Sequence, residues 1–269
     1  LRSSRHPRHV WQSQLLSSVR GIIHGISTRL GGVSRPPFAT LNLGLHTADR
    51  AGDVRENRRR WLQSLGFELE AAVYPEQVHG AGVAVVDGQS RGRGAETSED
   101  AVGGVDALVT LEPGVVLVAS FADCLPILFA AEDGRAVAVA HAGWRGTIAG
   151  VARETVNVLE RCGIRAGALK VALGPCIKPC CYEVSDELYQ RFRNELGSDS
   201  VGRTRTGRPA VDLAGANRSV LVSLGVDPAA IDVCPLCTSC RTDLFFSYRA
   251  ERGVTGRMAA AVGILPGSR

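Results

Sequence analysis

The chain lacks any apolar run of 18 or more residues, and it lacks an N-terminal apolar core followed by a cleavage site. A membrane-spanning helix and a secretory leader are therefore not expected, and the expected compartment is the cytoplasm. No charge of one sign dominates, since 31 Lys and Arg face 27 Asp and Glu for a net charge of +4. The arginines are scattered, apart from a basic start (Arg2, Arg5, His6, Arg8, His9) and Arg58-Arg59-Arg60. That pattern gives no footprint for nucleic acid or an anionic membrane. There is no repeat of fixed period, no heptad seam and no low-complexity tail, which excludes solenoids and coiled coils. A regular strand-helix rhythm is also missing, so neither a doubly wound parallel sheet nor an eight-fold barrel is expected.

What the 269 residues contain is a globular composition, 45% hydrophobic, read as one α/β domain over residues 21–269 behind a partly disordered N-terminal arm, 1–20. Gly21 to Gly25 reads as a strand leading into a turn-rich segment, where Arg29 beside Gly31-Gly32 could meet an anion but reads as an ordinary surface loop. Asp53 is an N-cap signal for a helix carrying Val54, Trp61, Leu62 and Leu65, with Gly66 as its stop. Residues 88–104 are polar and glycine-rich, a mobile loop by composition. Thr147 reads as the cap of a helix running to Cys162, Ser185 to Leu196 as a helix, 202–209 as a basic loop, and Asp212 as the start of a helix to Leu224. The C-terminal stretch reads as a strand and a last short helix. Roughly nine strands and five helices predict a layered mixed-sheet α/β architecture, sheet packed on sheet with helices outside.

The organising stretch runs from Val115 to Gly146 and holds three apolar runs of strand length, with Glu132-Asp133-Gly134 as a hairpin turn signal. The hairpin brings Cys124, at the start of the second run, and His141, at the end of the third, to one rim. His79 precedes the alternating strand 83–86 and joins them as a candidate. Two imidazoles and a thiolate suit zinc and leave a fourth position open. The same residues also fit a Cys-His hydrolase, with Cys124 as nucleophile, His141 as base and Asp123 or another carboxylate orienting it. A wholly structural role is the third possibility. After His141, the turn displaying Trp144 and Arg145 before a helix is the best anion site in the sequence. The other cysteines fall in two clusters, 176/180/181 and 234/237/240. The second resembles half of a metal site without a fourth ligand, and small buried side chains or a redox pair are the plainer readings.

The segments HGISTRLGGVS, TLNLGLH, VRENRRR, EQVHG, DALVT, ADCLPI, AHAGWRGT, GPCIKPCCYEV, DLAGAN, CTSC and FFSYR…TGRMAA, in this order, resemble the YfiH/YlmD family, also called laccase-domain or polyphenol oxidase proteins and related to mammalian FAMIN. The resemblance spans Gly21 to about Ile264. It implies a single-domain, YfiH-like αββα fold with mixed β-sheets and a zinc site at His79, Cys124 and His141. It also implies phosphorolysis of purine nucleosides (adenosine, inosine, guanosine, methylthioadenosine) and deamination of adenosine. Arg29, Asn42, Arg58 and Arg145 match polar positions suited to phosphate or ribose. Lys178 and Ala250 depart from the family pattern, which has glycine and a second arginine there.

The expected partners are thus a purine nucleoside and inorganic phosphate, with no nucleic acid and no membrane, for a monomer or weak homodimer. Phosphorolysis ranks before deamination, because the H-x-E and P-C-x-x-C signature of zinc nucleobase deaminases is missing. A multicopper oxidase needs many more histidines than the six present, although copper could occupy the triad in place of zinc. About one tightly held metal per chain is expected.

Overall fold

A computed structural model describes residues 10–267, so the basic start, Arg2 to His9, lies outside the described residues. The first main sheet combines β1 (Val10–Trp11), β2 (Ile22–Ser27), β3 (Ala72–Val73), β6 (Val116–Phe121) and β13 (Met258–Ile264) in the order β1-β2-β13-β6-β3. The second combines β4 (Val83–Val85), β5 (Ala107–Thr110), β7 (Leu125–Ala131), β8 (Val137–Ala142), β9 (Leu169–Leu173) and β12 (Ile231–Val233) in the order β12-β9-β7-β8-β5-β4. Both are mixed: β3 with β6, β4 with β5 and β9 with β12 are parallel, the other pairs antiparallel. The helices are α1 (Gln14–Ser17), α2 (Ala51–Ser64), α3 (Trp144–Ala149), α4 (Val151–Arg161), α5 (Asp186–Leu196) and α6 (Leu213–Ser223).

Alternation along the strands sorts apolar side chains into three layers, because successive residues point to opposite faces. Leu117, Ala119 and Phe121 of β6, Leu128 and Ala130 of β7, and Ala260 and Val262 of β13 fill the space between the sheets. Leu125, Ile127 and Phe129 of β7 turn outward and meet Val151, Val156 and Leu159 of α4, Phe192 of α5 and Leu221 of α6. Val116 and Val118 of β6 face Trp61 and Leu62 of α2 on the far side. The result is the expected αββα layering. Its inner strands are apolar on both faces, as strands covered on both sides must be.

Several local expectations change. Residues 10–20, read as part of an arm, form β1 and α1, and β1 pairs with β2. Helix α2 begins at Ala51, so Asp53 lies in its first turn instead of capping it, while Gly66 with φ +85° does end it. The helix after His141 is two helices, broken at Gly150, whose φ of +85° no continuous helix allows. Thr147 accordingly caps nothing; its hydroxyl accepts from Asn217. The basic loop 202–209 is a hairpin of β10 (Val201–Arg203) and β11 (Pro209–Val211). The expected C-terminal helix is β13, a central strand of the first sheet. Its Met-Ala-Ala-Ala start favours a helix by propensity, but burial between β2 and β6 overrides that preference. Among the described residues no helix is long and apolar enough to cross a membrane.

Candidate active site and metal centre

The chain passes from the first sheet to the second between Phe121 and Leu125, and Cys124 stands at that crossing. Antiparallel pairing of β7 with β8 sets Pro126 opposite His141, which brings His141 beside Cys124 on the anticipated rim. His79 reaches the same point from a loop ahead of β4, with a left-handed backbone (φ 60°). A non-glycine residue holds that conformation uncommonly, histidine less rarely than most, and gains from outside support. The support is Asp106, fully buried at the head of β5. Its Oδ1 accepts the N–H of His79 at 3.0 Å, and its Oδ2 those of Val78 at 3.1 Å and Gly80 at 2.7 Å. Oδ1 also bonds His141 Nδ1 at 2.8 Å, so Nδ1 carries the proton and Nε2 is left to ligate. Gln77 fastens the same loop to β6 by pairing with both the N–H and the C=O of Ser120 at 2.8 Å.

One donor atom each from His79, Cys124 and His141 lies within 4.8 Å of the other two. Gly143 closes over them. A Cβ there would sit 3.0 Å from Cys124 Sγ and 3.2 Å from His79 Cδ2, so the absence of a side chain makes room for the cluster. Burial disfavours a Cys124 thiolate, yet the two imidazoles outweigh it and bring the thiol down to about 6. Burial likewise disfavours a charged His141, but the thiolate and Asp106 raise it to about 9. Burial pushes the Asp106 carboxyl up as well; His141 and the N–H groups of Gly80 and Val78 more than offset this and hold it below its usual range. A soft anion, two imidazoles and a carboxylate fixing one tautomer fit a zinc ion by donor chemistry. Of the other described histidines, His24 is buried and accepts from the N–H of Ser13 at 2.9 Å, and His46 stands at the cavity mouth. No cluster for several coppers can be assembled from these described histidines.

The triad opens into a cavity of about 660 Å³, walled by Trp144, Tyr182 and Tyr248 and carrying Arg145, Arg249 and Arg257, within the range of small-molecule sites. Arg145 is exposed there, and its guanidinium stacks over Trp144 at 4.6 Å with no hydrogen-bond acceptor among the described residues. Arg58 reaches the cavity wall, but it is buried and donates to the carbonyls of Leu43, Gly94 and Ala95. Those bonds hold residues 88–104 to the body, so the loop read as mobile is tied down. Arg29 stands outside the cavity, donating to the carbonyls of Ala39 and Thr242 and pairing with Glu251 at 3.0 Å. Asn42 is also outside, fully buried, its Oδ1 accepting from Arg257 N at 2.8 Å. Its link to the cavity is this bond to the backbone of Arg257.

Asp123 does not orient His141. Its carboxylate accepts from Thr238 at 2.6 Å, Ser247 at 3.0 Å and Arg249 N at 2.7 Å, and Asp106 fills the orienting position. Sequence reasoning left Asp106, Gly143, Arg249 and Arg257 without a role. Their signals were present in DALVT, AHAGWRG, SYR and TGRM, which are polar or glycine positions at strand and turn boundaries.

A mixed two-sheet αββα body with a candidate metal-binding His-Cys-His triad at the sheet crossing defines a laccase-like class of protein. Residues 23–265 match the family described as multi-copper polyphenol oxidoreductase laccase, and the chain belongs to that family. It is 46% identical over 247 residues to "Purine nucleoside phosphorylase YlmD" of Geobacillus stearothermophilus, covering 90% of each chain. It is 37% identical over 236 residues to "Adenosine deaminase RL5" of an unknown prokaryotic organism, covering 86% of this chain and 90% of the relative. The crystal structure of YlmD from Geobacillus stearothermophilus superposes with a TM-score of 0.90 at 43% identity, covering 96% of this chain and 97% of that one.

Proposed function

We propose that the protein is a zinc-dependent purine nucleoside phosphorylase acting on adenosine, inosine, guanosine and methylthioadenosine, with adenosine deamination as a secondary activity. The observation that carries this reading is the presence, in one cavity, of the three-donor cluster and of Arg145, a guanidinium with its donors uncommitted. In phosphorolysis a phosphate oxygen bonds to C1′ while the C1′–N9 bond breaks. The bonding pair leaves on the purine, which takes up a proton. Arg145 is suited to grip the phosphate by two N–H groups, and the backbone bonds of Arg249 and Arg257 hold two more cations in the walls. Trp144, Tyr182 and Tyr248 offer flat faces to a purine and exclude water beside it. A zinc ion at His79, Cys124 and His141 would supply Lewis acidity to a substrate oxygen or nitrogen. Asp106 keeps the His141 tautomer fixed throughout.

The test is release of hypoxanthine from inosine by the purified chain with and without phosphate, before and after chelation and zinc restoration. Release that requires both phosphate and metal is expected; release indifferent to phosphate overturns the reading. One arrangement favours a second reading: Cys124, His141 and Asp106 stand in the order nucleophile, base and orienter of a cysteine hydrolase. That enzyme would be killed by a thiol alkylator and untouched by chelation.

A further inference from the structure

Folding joins the two cysteine clusters that the sequence keeps 56 residues apart, Cys181 to Cys237. Cys176 and Cys234 are buried at strand ends. Cys180, Cys181, Cys237 and Cys240 instead converge, with every sulfur within 4.8 Å of the others. Cys180 and Cys181 stand 3.8 Å apart, Cys180 and Cys240 3.6 Å, and Cys181 and Cys240 3.3 Å. Sulfurs bound tetrahedrally to zinc at about 2.3 Å lie about 3.8 Å from one another. The half-site read at 234/237/240 thus gains its missing ligands from upstream, and Cys234 drops out.

We propose that Cys180, Cys181, Cys237 and Cys240 form a second metal site, a closed tetrathiolate that holds a structural zinc ion. Four thiolates on a divalent ion carry a net charge of −2, which N–H donors must stabilise. Arg205 Nη2 lies 3.1 Å from Cys240 Sγ, and the backbone N–H of Lys178 donates to Cys237 Sγ at 3.4 Å. A disulfide would use two of the sulfurs and would not account for four converging in one shell. The ion staples the loop that leads to Tyr182 to the loop that leads to Arg249, and both residues line the active cavity. Four protein ligands leave no open coordination position, so the role is architectural. The single metal expected from the sequence becomes two.

The experiment is metal analysis of the full chain expressed with zinc and purified under reducing conditions, beside Cys181→Ser/Cys240→Ser and His141→Ala. About two zinc ions per chain are expected, falling to about one in each variant. Cobalt-substituted protein should show intense thiolate-to-cobalt charge-transfer absorption that His141→Ala retains in large part. If the double variant fails to fold, stepwise mercurial titration of the wild type decides, since modification of these four thiols must release one zinc ion. Release of no zinc with these thiols, iron in place of zinc, or a Cys181–Cys240 disulfide in peptide maps overturns the proposal.

Discussion

Replacing Asp106 with Asn tests the organisation of the active site more sharply than removing a ligand. Each carboxylate oxygen accepts from two donors, Oδ1 from His79 N and His141 Nδ1, and Oδ2 from Val78 N and Gly80 N. An amide of the same shape has one accepting end, so either orientation points an NH₂ at two N–H donors. Facing Val78 and Gly80, it frees the loop that carries His79. Facing His141, it can be tolerated only if the imidazole moves its proton to Nε2, the nitrogen needed for the metal. The N–H groups of Val78, His79 and Gly80 are only partly buried, so the folded state loses about 1–3 kcal/mol, the range for one buried donor left without an acceptor. Loss of the carboxylate behind a ligating histidine lowers metal affinity about 10–100-fold. Zinc affinity measured against a competing chelator, together with the thermal midpoint of the metal-free protein, reads both effects. Asp106→Asn binding zinc as tightly as wild type, with an unchanged midpoint, would refute the argument that this carboxylate positions both histidines.

Gly143→Ala should lower zinc affinity with little change in secondary structure, because its Cβ presses on Cys124 Sγ and His79 Cδ2; overpacking of this kind costs about 1–3 kcal/mol, and equilibrium dialysis checks it. In metal-stripped protein, alkylation of Cys124 should climb as pH rises through about 6 and already be fast at neutrality; mass spectrometry of the Cys124 peptide across pH tests this, and an inflection near the ordinary thiol value contradicts it. Arg145→Ala should raise the KM for phosphate about 10–100-fold, the worth of a charged hydrogen bond, with no loss of stability, while Arg29→Ala should lower the thermal midpoint and leave that KM unchanged because its donors are held by Ala39, Thr242 and Glu251.

The convergence of His79, Cys124 and His141 was legible from sequence because these residues sit at strand boundaries, where apolar runs meet an isolated sulfur or imidazole. The layering was legible for a related reason: the runs Val116–Phe121, Leu125–Ala131 and Val137–Ala142 are mostly apolar at successive positions, as strands covered on both faces are. The roles of Arg29 and Asn42 were not legible. An arginine whose donors are held by carbonyls and an exposed one with none held have the same letter; of Arg29, Arg58 and Arg145, Arg145 is the one of the second kind. The terminal strand escaped for a different reason. Small alanines read as helix by propensity, and only the pairing of β13 with both β2 and β6 makes them a central strand.

The chain's tie between catalysis and architecture runs through one dipeptide. Asp123, held at φ +82° where the chain changes sheets, gathers Thr238, Ser247 and the N–H of Arg249, while the next residue supplies the triad's sulfur. Its buried carboxyl is driven up by desolvation and only partly restrained by those donors, so loss of even one would leave a costly group in the wall of the cavity. Asp123→Ala should therefore disturb two things together: the placement of Cys124, read as weakened zinc binding, and the placement of Arg249, read as weakened substrate binding. Asp123→Asn keeps an acceptor for Thr238 or for the Ser247–Arg249 pair but not for both, and should fall between wild type and alanine on both measures. If either measure moved without the other, the crossing would be two independent features that merely adjoin, and the coupling argued from Asp123 would fail.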